Sequence, residues 1–241
     1  MWVHGNLSQV RLIAGRFDGK TYSAGVEIRL KGKAHTYWRN PGDGGVPPIF
    51  NFSKSGNLKS AQAFFPPPKR SGAPGEEVIG YAHRVVFPLR VVPSDTSRPV
   101  VLDLKFNYAA CEKICVPELA QLQLQLDPAS IGQNGSPEAT LITAFEGKLP
   151  KPFSAAGAPG LSISSKQAGK TWIIAVTGAG EDLTDLFVEG PDGWYFDQKL
   201  QSPAFFELKL AQKPENAKKI PPLFFTLTTK TGAFEGTFPL P

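Results

Sequence analysis

The sequence of residues 100–126, VVLDLKFNYAACEKICVPELAQLQLQL, contains the clearest strand patterns in the chain. In 100–108, apolar residues alternate with Asp103, Lys105 and Asn107, and in 119–126 leucines alternate with glutamines. A period of two residues puts the apolar side chains on one face of a strand. The two runs therefore predict adjacent strands, and the segment between them is a connection at one end of a β-sheet.

Cys111 and Cys115, the two cysteines of the chain, both lie in this connection. If the connection is a helical turn, the two side chains share a face, and Cα atoms about 6 Å apart permit a disulfide. Because closing so short a loop stabilises a protein by only about 2 kcal/mol, a redox-active pair is favoured over a structural disulfide. Inert thiols and a metal site are further alternatives. The neighbouring charges oppose each other, because Lys113 favours thiolate formation and Glu112 disfavours it.

Metal binding is the weaker interpretation of the pair. A structural zinc site needs four ligands, whereas the histidines His4, His35 and His83 are far from the cysteines in sequence. The single methionine, Met1, provides no thioether cluster for copper. We therefore predict neither a metal nor a cofactor.

Chain breakers are spread along the whole sequence, with 24 glycines and 23 prolines among 241 residues. This composition disfavours long helices and suits short strands joined by turns. We predict an all-β chain of two β-sandwich domains in tandem, the first at 1–128 and the second at 161–241. Between them, 129–160 is predicted to be a linker with a short helix at 137–147.

Several functional classes are excluded by charge and hydropathy. The formal net charge is +5, but the basic residues are scattered, so we do not predict nucleic-acid binding. No apolar run reaches about 18 residues, so no segment is predicted to insert into a membrane. The N-terminus lacks the basic and apolar regions of a signal peptide, so the chain is either cytoplasmic or a mature or trimmed form. The cysteine pair favours the mature or trimmed form.

The cysteine segment FNYAACEKICVPE (106–118) resembles the active-site loop of the N-terminal periplasmic domain of DsbD-type thiol:disulfide interchange proteins. The resemblance is closer to their suppressor-of-copper-sensitivity branch, the ScsB proteins. Three further segments agree in the expected order, and they are TYWRNPGDGGVPP (36–48), IGYAHRVVFPL (79–89) and DLFVEGPDGW (185–194).

This resemblance implies an immunoglobulin-like fold and protein-disulfide reductase activity in the periplasm, with a link to copper tolerance. The implied electron donor is a membrane-embedded redox relay domain, and the implied substrate is a periplasmic thioredoxin-like protein. By position, Cys115 is the residue that forms mixed disulfides and Cys111 is the resolving partner. The rival functions are a non-catalytic binding or adhesion module with a structural disulfide, and a Cu(I)-binding protein.

The surroundings of the pair are also predicted. Three aromatic residues, Tyr37, Trp38 and Tyr108, are expected to border the site, although each could simply pack within a sheet. The charged residues Glu112 and Lys113 are expected at the border as well. DsbD has a wider cysteine spacing and an aromatic cap over its disulfide. The corresponding segment of this chain has no aromatic residue between Phe65 and Tyr81. Either the disulfide of this chain has no cap, or the cap is formed by Pro74, Val78 or Ile79.

Overall fold

The computed structural model of the chain describes residues 1–42, 45–72, 77–129, 136–154, 160–202 and 204–241. These residues form two compact units, Met1–Leu149 and Pro150–Pro241. Both units consist almost entirely of β-strands, which confirms the prediction of an all-β chain. Among the described residues, no helix is long and apolar enough to cross a membrane.

The first unit contains eleven strands and one helix in its described part. In chain order they are β1 (Val3–His4), β2 (Ser8–Phe17), β3 (Tyr22–Leu30), β4 (His35–Tyr37), β5 (Ile49–Asn51), β6 (Leu58–Ala63), β7 (Lys69–Ser71), β8 (Val78–Ala82), β9 (Arg84–Pro93), β10 (Val100–Cys111), β11 (Cys115–Leu126) and α1 (Pro137–Glu146).

Two sheets pack face to face in this unit. The first has the strand order β1-β2-β3-β9-β6, and the second has the order β11-β10-β4-β8-β7, with β5 paired to β10. Their inner faces share one apolar core, in which the rings of Phe50, Phe65, Phe87 and Phe106 lie with centroids 4.8–6.0 Å apart. The unit is therefore a β-sandwich, as expected for an immunoglobulin-like domain.

Strands β10 and β11 pair along their whole length, from Val100 opposite Leu126 to Cys111 opposite Cys115. The even-numbered residues from 100 to 108 are buried, as the alternation predicts. Both strands extend beyond their predicted bounds, so that 112–114 alone form the turn. The connection between the cysteines is therefore not the helical turn that was one way to bring them together. A three-residue connection closes a hairpin here, which lets both strands continue their ladder of backbone hydrogen bonds up to the cysteines.

The short helix expected at 137–147 forms as α1, and Ser136 Oγ accepts a hydrogen bond from the third residue after it, as an N-cap does. Its buried side chain Ile142 packs with Ile13 and Val86 on the outer face of the first sheet. Because this contact holds the helix to the sandwich, the residues up to Leu149 belong to the first unit rather than to a linker.

The second unit has two sheets of four strands each among its described residues. The strands are β12 (Lys151–Pro152), β13 (Ser162–Ala168), β14 (Thr171–Thr177), β15 (Leu183–Glu189), β16 (Tyr195–Ser202), β17 (Phe205–Gln212), β18 (Leu223–Thr229) and β19 (Ala233–Phe238). The sheet orders are β12-β19-β18-β15 and β13-β14-β17-β16, and one apolar cluster lies between them. The sequence of this unit has no cysteine, so both cysteines of the chain lie in the first unit.

The packing of α1 gives a direct test of the revised boundary. Ile142→Ala removes a fully buried side chain and is expected to lower the free energy of unfolding by about 2–5 kcal/mol in urea titrations. Thr140→Ala, at an exposed position of the same helix, is the matched control and should change it by at most about 0.5 kcal/mol. Equal effects of the two substitutions would show that the helix is a linker element after all.

Candidate functional site

The last residue pair of the β10–β11 hairpin is a disulfide. Cys111 and Cys115 lie directly opposite each other, with Cα atoms 4.0 Å apart, and their sulfurs are bonded. Opposed residues of a non-hydrogen-bonded pair bring their side chains closest together, which allows such a cross-strand bond. The two residues differ in accessibility, because Cys111 is 1% exposed whereas Cys115 is open to solvent. A molecule arriving from solvent therefore meets Cys115 first.

A buried tyrosine contacts both sulfurs. The hydroxyl oxygen of Tyr37, on β4, lies 3.2 Å from Sγ of Cys115 and 3.4 Å from Sγ of Cys111. A disulfide sulfur carries no hydrogen, so the hydroxyl is the donor in these contacts. Burial raises the pKa of Tyr37 above its usual value of 10.0, and the phenol therefore keeps its proton. Tyr37 thus presents a hydrogen-bond donor to the pair.

Strand β4 holds Tyr37 in place through its pairing with β10. The hydroxyl of Thr36 donates a buried 2.8 Å hydrogen bond to the carbonyl of Ala109, and Thr36 itself lies opposite Ala110. A Cβ at Gly45 would lie 2.8 Å from Cδ1 of Tyr37, so the chain after β4 passes close to the ring. The tyrosine is therefore confined from two sides.

An apolar lining surrounds the disulfide. The buried side chains at this point are Tyr37, Ala109 and Cys111, with Val78 packed against them. Of the three residues considered as caps, Val78 lies at the site. Ile79 contributes its carbonyl, which accepts a 3.0 Å hydrogen bond from the N–H of Trp38. Pro74 lies outside the described residues.

Two aromatic residues expected at the border have other surroundings. Tyr108 lies three residues before Cys111 on β10, so the two side chains point to opposite faces of the strand. Tyr108 points into the core, where its hydroxyl lies 2.7 Å from Oγ of Ser8. Trp38 is 1% exposed and has the guanidinium of Arg39 stacked 4.6 Å from its ring centre. Of the three aromatics, it is Tyr37 whose hydrogen bonds join it to the sulfurs.

The two charged residues expected at the border lie in the hairpin turn. Glu112 and Lys113 are both exposed, and the N–H of Glu112 donates to the carbonyl of Ile114 at 3.4 Å. Ile114 is itself 76% exposed. An approaching partner protein would thus meet one acidic, one basic and one apolar side chain beside Cys115.

The sequence does not predict His35 as a neighbour of the pair, because His35 is far from both cysteines along the chain. His35 lies on β4 directly opposite Cys111, and its ring centroid is 5.5 Å from that of Tyr37. Burial lowers the pKa of His35 below its usual 6.5. Its position two residues before Tyr37 was the available signal, because residues i and i+2 share a face of a strand. The described residues include no group of three or more potential ligands that could hold a metal ion.

The Tyr37 hydroxyl is expected to stabilise a thiolate at Cys115 once the disulfide is reduced. In a Cys111→Ser background, Tyr37→Phe should raise the pKa of the Cys115 thiol by about 1–2 units, because a hydrogen bond to an ionised group contributes about 1.5–3 kcal/mol. Thiolate ultraviolet absorbance against pH measures this pKa. Tyr81→Phe is the control, since the Tyr81 hydroxyl donates to the carbonyl of Pro66 at 2.7 Å. An unchanged pKa in Tyr37→Phe would refute the donor role.

Comparison with known proteins relates this chain to a protein family. The sequence profile described as "Thiol:disulfide interchange protein DsbD, N-terminal" matches residues 8–127. No curated protein sequence matches the chain. Among solved structures, the N-terminal periplasmic domain of ScsB from Proteus mirabilis is 18% identical, with a TM-score of 0.75 over 99% of this chain and 96% of that one. The YadV chaperone is 13% identical, with a TM-score of 0.25 over 96% of this chain and 99% of that one.

The match to the ScsB structure and the match to the family profile support different conclusions. The likeness to the ScsB domain concerns the fold, because the identity is low. The matched residues 8–127 include the whole β10–β11 hairpin with its bonded Cys111 and Cys115, together with Tyr37 and His35. Through these residues, the chain belongs to the family of the N-terminal domains of DsbD-type thiol:disulfide interchange proteins.

Proposed function

We propose that the first unit is a periplasmic protein-disulfide reductase domain, which passes electrons through Cys111 and Cys115 to a thioredoxin-like partner protein. The observation that carries the proposal is the asymmetry of the disulfide, in which an exposed Cys115 is bonded to a buried Cys111. An accessible sulfur can exchange with a partner, and a buried neighbour can resolve the resulting mixed disulfide without leaving the domain.

The reaction begins from the reduced pair. The thiolate of Cys115 attacks one sulfur of the partner's disulfide, which forms a mixed disulfide and releases the partner's other sulfur as a thiolate. Cys111 then loses its proton and attacks Sγ of Cys115, so that the intramolecular disulfide forms and the second partner sulfur leaves. Two electrons pass to the partner, whose thiolates take up two protons. Tyr37 supports the first step by donating a hydrogen bond to the attacking thiolate.

The oxidised domain must then be reduced again. In the proposed cycle, a membrane-embedded redox relay domain supplies these electrons by attack on the exposed Cys115. The membership of residues 8–127 in the DsbD N-terminal family supports this donor and the periplasmic location. A role in copper tolerance is part of the proposal through the resemblance to the ScsB branch.

Trapping the intermediate tests the order of the two sulfurs. When the reduced variant is mixed with an oxidised thioredoxin-like protein, Cys111→Ser should accumulate a mixed disulfide through Cys115, because no resolving thiol remains. Cys115→Ser is the matched control and should accumulate none, since Cys111 is buried. Non-reducing electrophoresis and mass spectrometry identify the adduct. Accumulation with Cys115→Ser alone would reverse the assignment.

The reduction potential separates exchange from a structural role. Equilibration of the full chain with glutathione buffers should give a potential above about −300 mV, in the range of thiol exchange proteins. A more negative value would instead fit a binding or adhesion module with a stable disulfide. Stoichiometric Cu(I) binding by the reduced protein, lost in Cys→Ser variants, would favour the copper-binding alternative.

A further inference from the structure

We propose that His35 accepts the thiol hydrogen of Cys111 when the disulfide is open, and takes its proton when Cys111 attacks Cys115. The proposal rests on the proposed function, because it concerns the resolving step of the same exchange. It assigns a proton acceptor to the resolving step, for which the proposed exchange otherwise names only the two sulfurs.

The order of strands in the second sheet places His35 beside Cys111. Strand β10 lies between β11 and β4, so Cys111 has Cys115 beside it on one strand and His35 beside it on the other. Directly opposed residues of antiparallel strands project to the same face, with Cβ atoms about 4.5–5.5 Å apart. His35 and Cys115 therefore flank Cys111 on opposite sides.

The ring of His35 also carries an unsatisfied nitrogen. Nε2 of His35 is buried and has no hydrogen-bond partner among the described residues. A buried polar atom of this kind is rare in native proteins and requires an explanation. In the oxidised state the sulfur of Cys111 has no hydrogen to donate, so the disulfide cannot satisfy this nitrogen. Reduction converts Cys111 to a thiol, which can donate a hydrogen bond to this nitrogen.

Opening the disulfide also frees the sulfur to move. The bond to Cys115 holds Sγ of Cys111 toward β11, whereas a free cysteine can occupy any of three staggered χ1 wells. Rotation about this one bond turns the sulfur from the β11 side toward the β4 side. The thiol can then donate to His35 without a change in the backbone.

The surroundings of His35 keep its ring neutral. Its neighbours are Tyr37 on its own strand, Cys111 on β10 and the uncharged Ala82 opposite it on β8. The charged residues nearest to Cys111 in sequence are Glu112 and Lys113, which lie exposed in the turn. Burial is the cause of the lowered pKa of His35, so the ring is a free acceptor at neutral pH.

The resolving step moves one proton and one electron pair. In the mixed disulfide, the Cys111 thiol gives its proton to His35, and the resulting thiolate attacks Sγ of Cys115. The bond between Cys115 and the partner sulfur breaks, and its electron pair leaves with the partner as a thiolate. The imidazolium of His35 then releases its proton to the partner thiolate through solvent.

Two variants separate the acceptor role from the proton-transfer role. His35→Phe keeps a buried ring but removes both nitrogens, whereas His35→Gln keeps an amide that can accept a hydrogen bond but cannot act as a base. His4→Gln is the matched control, because His4 is an exposed histidine on β1. Circular dichroism and urea titrations of the full chain confirm that each variant folds.

The first measurement is equilibration with glutathione buffers. His35→Phe should make the disulfide harder to reduce by about tenfold in the equilibrium constant, which is about 30 mV. His35→Gln and His4→Gln should stay within about twofold of the parent chain. A parent-like constant in a folded His35→Phe variant would overturn the acceptor role.

The second measurement follows the resolving step with dithiobis(nitrobenzoate). The reduced protein releases one coloured thiolate when Cys115 attacks and a second when Cys111 closes the disulfide. Both His35 variants should slow the second phase by about 10²-fold. In the parent chain this phase should also slow as the pH falls through the lowered pKa of His35, because a protonated ring cannot accept a proton.

The controls make each outcome decisive. If His35→Phe does not fold, the pH profile of His35→Gln replaces it, and persistence of the parent's low-pH step would overturn the proposal. These probes are small molecules, so they report on His35 without a protein partner. Failure of the parent chain to reduce thioredoxin-like proteins would instead overturn the proposed function and leave the His35 measurements standing as a separate result.

Discussion

The register of the β10–β11 hairpin is the constraint on which the site depends. Because Val100 lies opposite Leu126, each following pair is fixed, and the ladder ends with Cys111 opposite Cys115. A shift of one residue would turn one cysteine to the core face and separate the sulfurs. The apolar core fixes this register far from the site, since the even-numbered residues of β10 are buried between the sheets. The same packing that stabilises the sandwich thus aligns the two sulfurs.

Because the core rather than the disulfide stabilises the sandwich, the bond can open in the proposed exchange without unfolding the domain. A loop of about five residues closed by a disulfide contributes only about 2 kcal/mol in the loop-entropy model. The fold is instead stabilised by the apolar core between the two sheets. In addition, α1 packs on the outer face of the first sheet. The bond between Cys111 and Cys115 is therefore free to serve chemistry rather than stability.

Much of this arrangement was predictable from the sequence, and the exceptions have physical causes. Period-two alternation predicts strands at 100–108 and 119–126, but residues 109–111 are buried on both faces, so the alternation ends before the strand does. The alternation of side chains along β10 is sufficient to predict that Tyr108 points into the core, away from Cys111. The approach of His35 and Tyr37 depends on the pairing of β4 with β10, which joins residues more than 70 positions apart. Local patterns carry no information about such a pairing.

The two neighbours of the pair on β4 are chemically complementary. Tyr37 has a raised pKa and offers a hydrogen to sulfur, which favours a thiolate. His35 has a lowered pKa, and its Nε2 has no hydrogen-bond partner among the described residues. This nitrogen favours a thiol that can donate to it. In the proposed exchange, Cys115 attacks as a thiolate while Cys111 stays protonated until the resolving step, so the two neighbours suit the two steps. Because Tyr37 and His35 alternate on one short strand, the pairing of β4 with β10 supplies both at once.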